Sequence, residues 1–210
     1  MNHEQPVMRR FTLLAEGPSD QALIPILKWL WDQHRPEELC VGQFADLEYS
    51  DLDSRSLDDK LGPALDLYPC DLLFVHRDSD KEGLAKRLSE IQAALAKIAQ
   101  PPPTICVVPV RMSEAWMLFD EKAIRKAAEN PRGTMKLTLP APAKVEKLPD
   151  PKTVLRELLK TACGLPAHRM RRFNVSSAAR LVTEFIQDFS PLRHLPAFAQ
   201  MEDAFKKARL

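Results

Sequence analysis

Three short apolar runs constrain this chain more than any other feature. They are Arg10 to Ala15 (RFTLLA), Asp71 to His76 (DLLFVH) and Thr104 to Val110 (TICVVPV), each followed by residues with helical spacing. The run at Asp71 to His76 is flanked by charges, as a central parallel strand covered on both faces requires. Between the first two runs, Ala22, Leu23, Ile26, Leu27, Leu30 and Trp31 recur at spacings of three and four through about His34; Leu84, Leu88, Ile91, Leu95 and Ile98 do the same across Lys81 to Ala99. Ser19 or Asp20 is placed to cap the first helix, and Pro25, which has no N–H, delays its start. Weaker patterns put a strand at Val41 to Tyr49, a surface loop over Asp46 to Asp59, a short helix near Leu57 to Tyr68 and another helix over Met112 to Ala128.

This alternation predicts an α/β domain over residues 1–130, with a mostly parallel, Rossmann-like sheet flanked by helices and joined by right-handed crossovers. Residues 131–151 read as a Pro-rich loop, since they hold five prolines, Pro151 included. Residues 152–210 read as a C-terminal helical extension packed on that domain, its three helices marked by Val154, Leu155 and Leu158, then Leu181, Val182 and Phe185, then Phe198, Met201 and Phe205.

Composition narrows the class only a little. The formal charge of +1 neither favours nor forbids a polyanion, because a local basic face matters more than the sum. Cys40, Cys70, Cys106 and Cys163 lack the short paired spacings of zinc sites and disulfide scaffolds and read as reduced, mostly buried thiols. No signal-like or 18-residue apolar stretch is present, so the expectation is a cytoplasmic protein without a membrane partner.

The chemistry concentrates at strand ends. Ligands of open parallel sheets bind beyond the carboxyl ends of the strands. Glu16 ends the first run, and Asp78 and Asp80, two apart in an extended segment, end the central one. If those two strands are neighbours, the three carboxylates share one site. Their mutual repulsion is relieved by a hard cation with oxygen ligands, Mg²⁺ or Mn²⁺.

Glu16-Gly17-Pro18-Ser19-Asp20, Asp78-Ser79-Asp80 and Ser113-Glu114-Ala115-Trp116-Met117-Leu118 together resemble the Toprim superfamily. They are most similar to an uncharacterised bacterial Toprim-like family related to the nuclease domain of overcoming-lysogenization-defect proteins; Asp150-Pro151-Lys152 also fits that family. The resemblance implies a Toprim sheet, a first carboxylate near the attacking or leaving oxygen and an Asp-x-Asp that holds Mg²⁺. Asp20 and Glu114 are the candidates to complete a second metal site, although related nucleases usually carry Glu where this chain has Asp20. Lys81 or Arg111 is placed to neutralise the transition state. Arg169, Arg171 and Arg172, in the run His168 to Arg172, offer planar donor forks for phosphates.

Each residue also has a purely structural account. Glu16 could favour the positive end of the helix that follows, and Asp78 or Asp80 could cap the helix near Lys81. Glu114, after Ser113, suits a first helical turn. His76 reads as a satisfied, partly buried imidazole, Trp116 as core, and the basic run as solvated surface.

The expected activity is therefore Mg²⁺-dependent phosphodiester hydrolysis on DNA or RNA. By resemblance, the chain acts beside a separate ATPase in phage defence. It carries no Gly-x-x-x-x-Gly-Lys-Ser/Thr loop of its own. The alternative is a Toprim-like scaffold that binds nucleic acid or protein without turnover. A topoisomerase or primase needs further domains or a tyrosine-bearing strand-passage region, which a chain with two tyrosines does not obviously supply.

Overall fold

The computed structural model describes residues 7–47, 56–79 and 81–210. It is an α/β structure built on one all-parallel sheet. In chain order the elements are β1 (Met8–Leu14), α1 (Ile24–His34), β2 (Leu39–Phe44), α2 (Leu57–Leu67), β3 (Leu72–His76), α3 (Leu84–Leu95), β4 (Thr104–Val107), α4 (Glu121–Ala127), α5 (Pro151–Cys163), α6 (Ala167–Met170), α7 (Val175–Phe185) and α8 (Pro196–Lys207). The four strands lie in the order β2-β1-β3-β4. Phe11 pairs with Leu72 across β1 and β3, and Leu73 pairs with Thr104 across β3 and β4.

Alternation along the strands sorts the side chains onto two faces. Phe11, Leu13, Leu72, Phe74, Ile105 and Val107 face a large core shared with α1, α5, α7 and α8. Leu14, Leu73 and Val75 face a smaller core closed by Leu61 and Ala64 of α2 and Ile91 and Ala94 of α3. Every residue of β3 is buried, as expected of a strand covered on both sides. The C-terminal helices belong to the main core: Phe205 of α8 stacks on Phe74 with ring centroids 6.1 Å apart, and Phe198 meets Trp116 edge-on at 5.3 Å.

The strand order decides where a ligand site can form. From β1 the chain moves outward to β2, then returns past β1 to β3 and continues to β4. The direction of winding reverses between β1 and β3, and the crevice beyond their carboxyl ends is the switch point where doubly wound sheets bind ligands.

Several boundaries differ from the sequence expectation for local reasons. Pro25 falls in the first turn of α1, and a 3-10 turn over Pro18–Leu23 precedes it, so the helix does start late. The second strand is Leu39–Phe44 rather than Val41 to Tyr49, because pairing with β1 begins at Met8 and Leu39; residues 48–55 lie outside the described residues. Gly83, at φ 84° and ψ 160°, takes an extended positive-φ conformation that glycine favours, so α3 begins at Leu84 and not at Lys81. The helix expected over Met112 to Ala128 is split into a 3-10 turn at Ser113–Met117 and α4, whose start is set by Asp120 accepting from the Ala123 N–H at 3.0 Å. The Pro-rich segment carries a 3-10 turn at Pro142–Lys147 that sinks Val145 into the main core. The C-terminal part holds α6 and a 3-10 turn at Ser190–His194 besides the three long helices.

All four cysteines are free; Cys40 and Cys163 are buried, Cys70 and Cys106 half-buried. Burial pushes the Cys40 thiol up to about 12 and the Cys106 thiol up to about 11. At pH 8 Cys106 should react with Ellman's reagent on the order of a hundredfold, and Cys40 on the order of a thousandfold, more slowly than free cysteine, because the thiolate is the nucleophile; stopped-flow absorbance with single-cysteine variants measures this. Among the described residues, no helix is long and apolar enough to cross a membrane.

Candidate functional site at the β1–β3 switch point

β1 carries the chain into Glu16 and β3 carries it into Asp78, and the two strands are hydrogen-bonded neighbours. Asp20 joins them because the 3-10 turn after Gly17 folds it back: its Oδ2 accepts from the Gly17 N–H at 3.1 Å, and the residue is only 7% exposed. The turn after β3 is fixed by Ser79, whose N–H donates to Pro109 O at 3.2 Å and whose Oγ accepts from the Arg111 N–H at 2.7 Å. That last bond holds Arg111 at φ 65°, a conformation costly for a residue with a Cβ. The same loop delivers the Ser113 N–H to Asp78 Oδ1 at 3.0 Å.

The centre of the site is a residue read from the sequence as merely structural. His76 ends β3 with its side chain fully buried; Asp78 Oδ1 lies 3.4 Å and Asp20 Oδ1 3.7 Å from its Nε2. Its Nδ1 lies 2.9 Å from Val107 O, a carbonyl that can only accept, so Nδ1 carries the proton. Nε2 has no hydrogen-bond partner. Burial pushes this imidazole's pKa down, and the Asp78 and Asp20 carboxylates more than reverse the effect, leaving it raised.

Glu16 stands beside this group but is engaged elsewhere. Its Oε1 pairs with Arg77 Nε at 2.7 Å, and Lys60 Nζ reaches its backbone carbonyl at 3.3 Å. Burial raises the Glu16 pKa, the Arg77 guanidinium opposes this, and the Asp78 carboxylate adds to the rise, so the net shift is upward. Arg87 braces the other side, donating from Nε to Asp78 O at 2.9 Å and from an Nη to Glu90 Oε2 at 2.9 Å.

The remaining expected residues separate. Asp80 lies outside the described residues. Asp78 does not cap α3, whose N-cap is Gly83, and Asp20 closes the Gly17 turn instead of capping α1. Glu114 turns toward Lys152, 3.5 Å away, and not to His76. Lys81 and Arg111 share a shallow depression of about 390 Å³ with Glu82, Arg87, Met112 and Pro149. Arg169, Arg171 and Arg172 are exposed in and after α6. Among the described residues, no three His, Cys, Asp or Glu side chains converge closely enough to enclose an ion as they stand; the carboxylate contacts to His76 are pairwise.

A basic groove beside the carboxylates was not anticipated. Ser19, Ser113, Glu114, Lys152, Arg156 and Arg180 line a cavity of about 200 Å³ between the 3-10 turn, α5 and α7. Among the described residues, neither Arg156 nor Arg180 forms an ion pair. The sequence signal was present in Lys152 and Arg156, which are four apart and so share a face of α5. No pattern in the chain connects Arg180 to them; only the packing of α7 does.

Comparison with known proteins finds no matching family model, curated protein or solved structure.

Proposed function

We propose that this chain is a divalent-metal-dependent nuclease that hydrolyses phosphodiester bonds of DNA or RNA, using Mg²⁺ or Mn²⁺. The observation that carries the reading is the pairwise approach of Asp20 and Asp78 to the fully buried Nε2 of His76 at the β1–β3 switch point, with Glu16 close enough to feel both carboxylates. A buried polar atom without a partner is costly, and a cation held by the neighbouring carboxylates satisfies it.

Asp78 and Asp20 would hold the cation, with Asp80 as the further ligand expected from the Asp-x-Asp pattern. When bound, it supplies Lewis-acid stabilisation of charge on the phosphoryl group and a more acidic water. Glu16 has a raised pKa and a partner in Arg77 that fixes its direction, which suits a carboxyl that exchanges a proton near the attacking or leaving oxygen. Lys152, Arg156 and Arg180 in the groove, and Lys81 and Arg111 in the depression beside Arg87, would receive the phosphates of the strand. The separate ATPase remains the partner implied by the Toprim resemblance.

One observation favours the scaffold alternative: the Glu16 carboxylate is already paired with Arg77. Incubating the purified chain with plasmid DNA and structured RNA in Mg²⁺ or Mn²⁺, with EDTA controls, separates the two readings. Metal-dependent cleavage is expected; nucleic-acid binding without cleavage under any of these metals favours the scaffold.

The groove gives its own prediction. Arg156→Ala combined with Arg180→Ala should weaken oligonucleotide binding about tenfold. It should also flatten the dependence of log affinity on log salt by about two, one for each lost phosphate contact. Fluorescence anisotropy in EDTA measures this without cleavage, and an unchanged salt slope removes the groove from the substrate path.

A further inference from the structure

We infer that His76 is a nitrogen ligand of the bound cation, which biases the site toward Mn²⁺ and other divalent transition metals over Mg²⁺. The inference rests on the metal reading above and adds a donor that neither the Asp-x-Asp pattern nor the strand-end Glu supplies.

The geometry of one side chain carries it. Nδ1 is committed to Val107 O at 2.9 Å, so Nε2 is the nitrogen that faces the two aspartates, and a cation bound there takes the place of the Nε2 proton. A backbone carbonyl on the far nitrogen is the usual outer partner of a metal-bound histidine. The contacts from Nε2 to Asp78 Oδ1 and Asp20 Oδ1, at 3.4 and 3.7 Å, are long for hydrogen bonds. They match what two ligands of one ion require: donors about 2.1–2.2 Å from a metal, at bond angles of about 90–120°, lie about 3.0–3.8 Å apart. The ring cannot swing away, since β3 is buried along its whole length and the side chain has no exposed surface.

Both aspartates are held in place from behind. Asp20 Oδ2 accepts from Gly17 N–H while Oδ1 faces the imidazole. Asp78 Oδ1 is positioned by the Ser113 N–H. Imidazole is a good ligand for Mn²⁺, Fe²⁺, Co²⁺ and Zn²⁺, whereas Mg²⁺ keeps to oxygen donors. A mixed nitrogen and carboxylate set therefore discriminates between them.

The test reads the metal environment directly. Untagged wild-type protein is loaded with one equivalent of Mn²⁺ and examined by electron spin-echo envelope modulation, unlabelled and with ¹⁵N-histidine. The expected result is coupling to one directly bound imidazole nitrogen that changes isotope with the label. In His76→Asn that coupling should vanish, and Mn²⁺ affinity by isothermal titration should fall at least about tenfold, with Mg²⁺ affinity changing much less. Stoichiometric Mn²⁺, lost in Asp78→Asn but showing no nitrogen coupling in wild type, overturns the role of His76 and leaves the carboxylate site standing. Coupling that persists in His76→Asn assigns the nitrogen to another histidine and overturns it equally. Absence of stoichiometric Mn²⁺ in wild type removes both the ligand and the metal site. Because the decisive spectrum is of wild type, misfolding of the variant does not blunt the test.

Discussion

Asp78→Ala should lose metal-dependent cleavage by a factor on the order of a hundred or more, the scale expected when a group that organises a charged transition state is removed. Alanine alone is an ambiguous probe. It also removes the acceptor of the Ser113 N–H, and an unsatisfied, part-buried amide costs about 1–3 kcal/mol of stability. Asp78→Asn separates the two effects, because an amide oxygen still accepts from Ser113 while the negative charge is gone. We expect the Asn variant to melt close to wild type and still to have lost cleavage by a similar factor. Cleavage and melting temperature measured on all three proteins decide the matter. An Asn variant that cleaves at the wild-type rate makes Asp78 a structural anchor for the 109–113 loop and nothing more. Glu16→Gln is the companion: it retains a hydrogen-bonding partner for Arg77 but cannot exchange a proton, so it should lower turnover without lowering substrate affinity.

The parallel sheet was legible because β3 is an unbroken apolar run and because strand-forming and helix-forming spacings alternate through residue 107, weakly only over residues 41–68. The adjacency of β1 and β3, which joins Glu16 to Asp78, was a condition that no local pattern settles; it follows from the order β2-β1-β3-β4. The surroundings of His76 escaped the sequence for a related reason. Burial and one satisfied nitrogen were foreseeable from its place at the end of an apolar strand. The empty second nitrogen depends on two carboxylates arriving from the turn after β1 and the turn after β3. The break between Ser113–Met117 and α4 escaped periodicity because Trp116, Met117 and Leu118 are apolar on every side: they are core whichever helix type holds them. Arg156 and Arg180 form a groove only through helix packing, which spacing within a single helix does not reveal.

The division between an α/β domain and a C-terminal extension has an energetic consequence, and Phe74→Ala exposes it. Phe74 is fully buried on β3, meets Phe11 edge-on at 5.2 Å and stacks on Phe205 of α8 at 6.1 Å, while Phe205 also packs against Trp31 of α1 at 5.5 Å. Removing such a ring costs about 3–5 kcal/mol from lost burial and the cavity left behind. For a chain of this size that is a fall in Tm of about 10 °C. Phe205→Ala should cost a similar amount although it lies near the C-terminus, because its ring fills the same core as the sheet. If the last helices were an independent appendage, Phe205→Ala would lower one of two melting transitions and leave the sheet's own transition untouched. The shared core predicts instead a single calorimetric transition that both substitutions shift. In a double-mutant cycle, their effects should fall short of additivity by about 1 kcal/mol, since the pair loses one aromatic contact only once. Additive losses with two separate transitions would divide the molecule where its proline-rich segment runs; coupled losses in one transition would make the C-terminal helices part of what holds β3, and with it His76 and Asp78, in place.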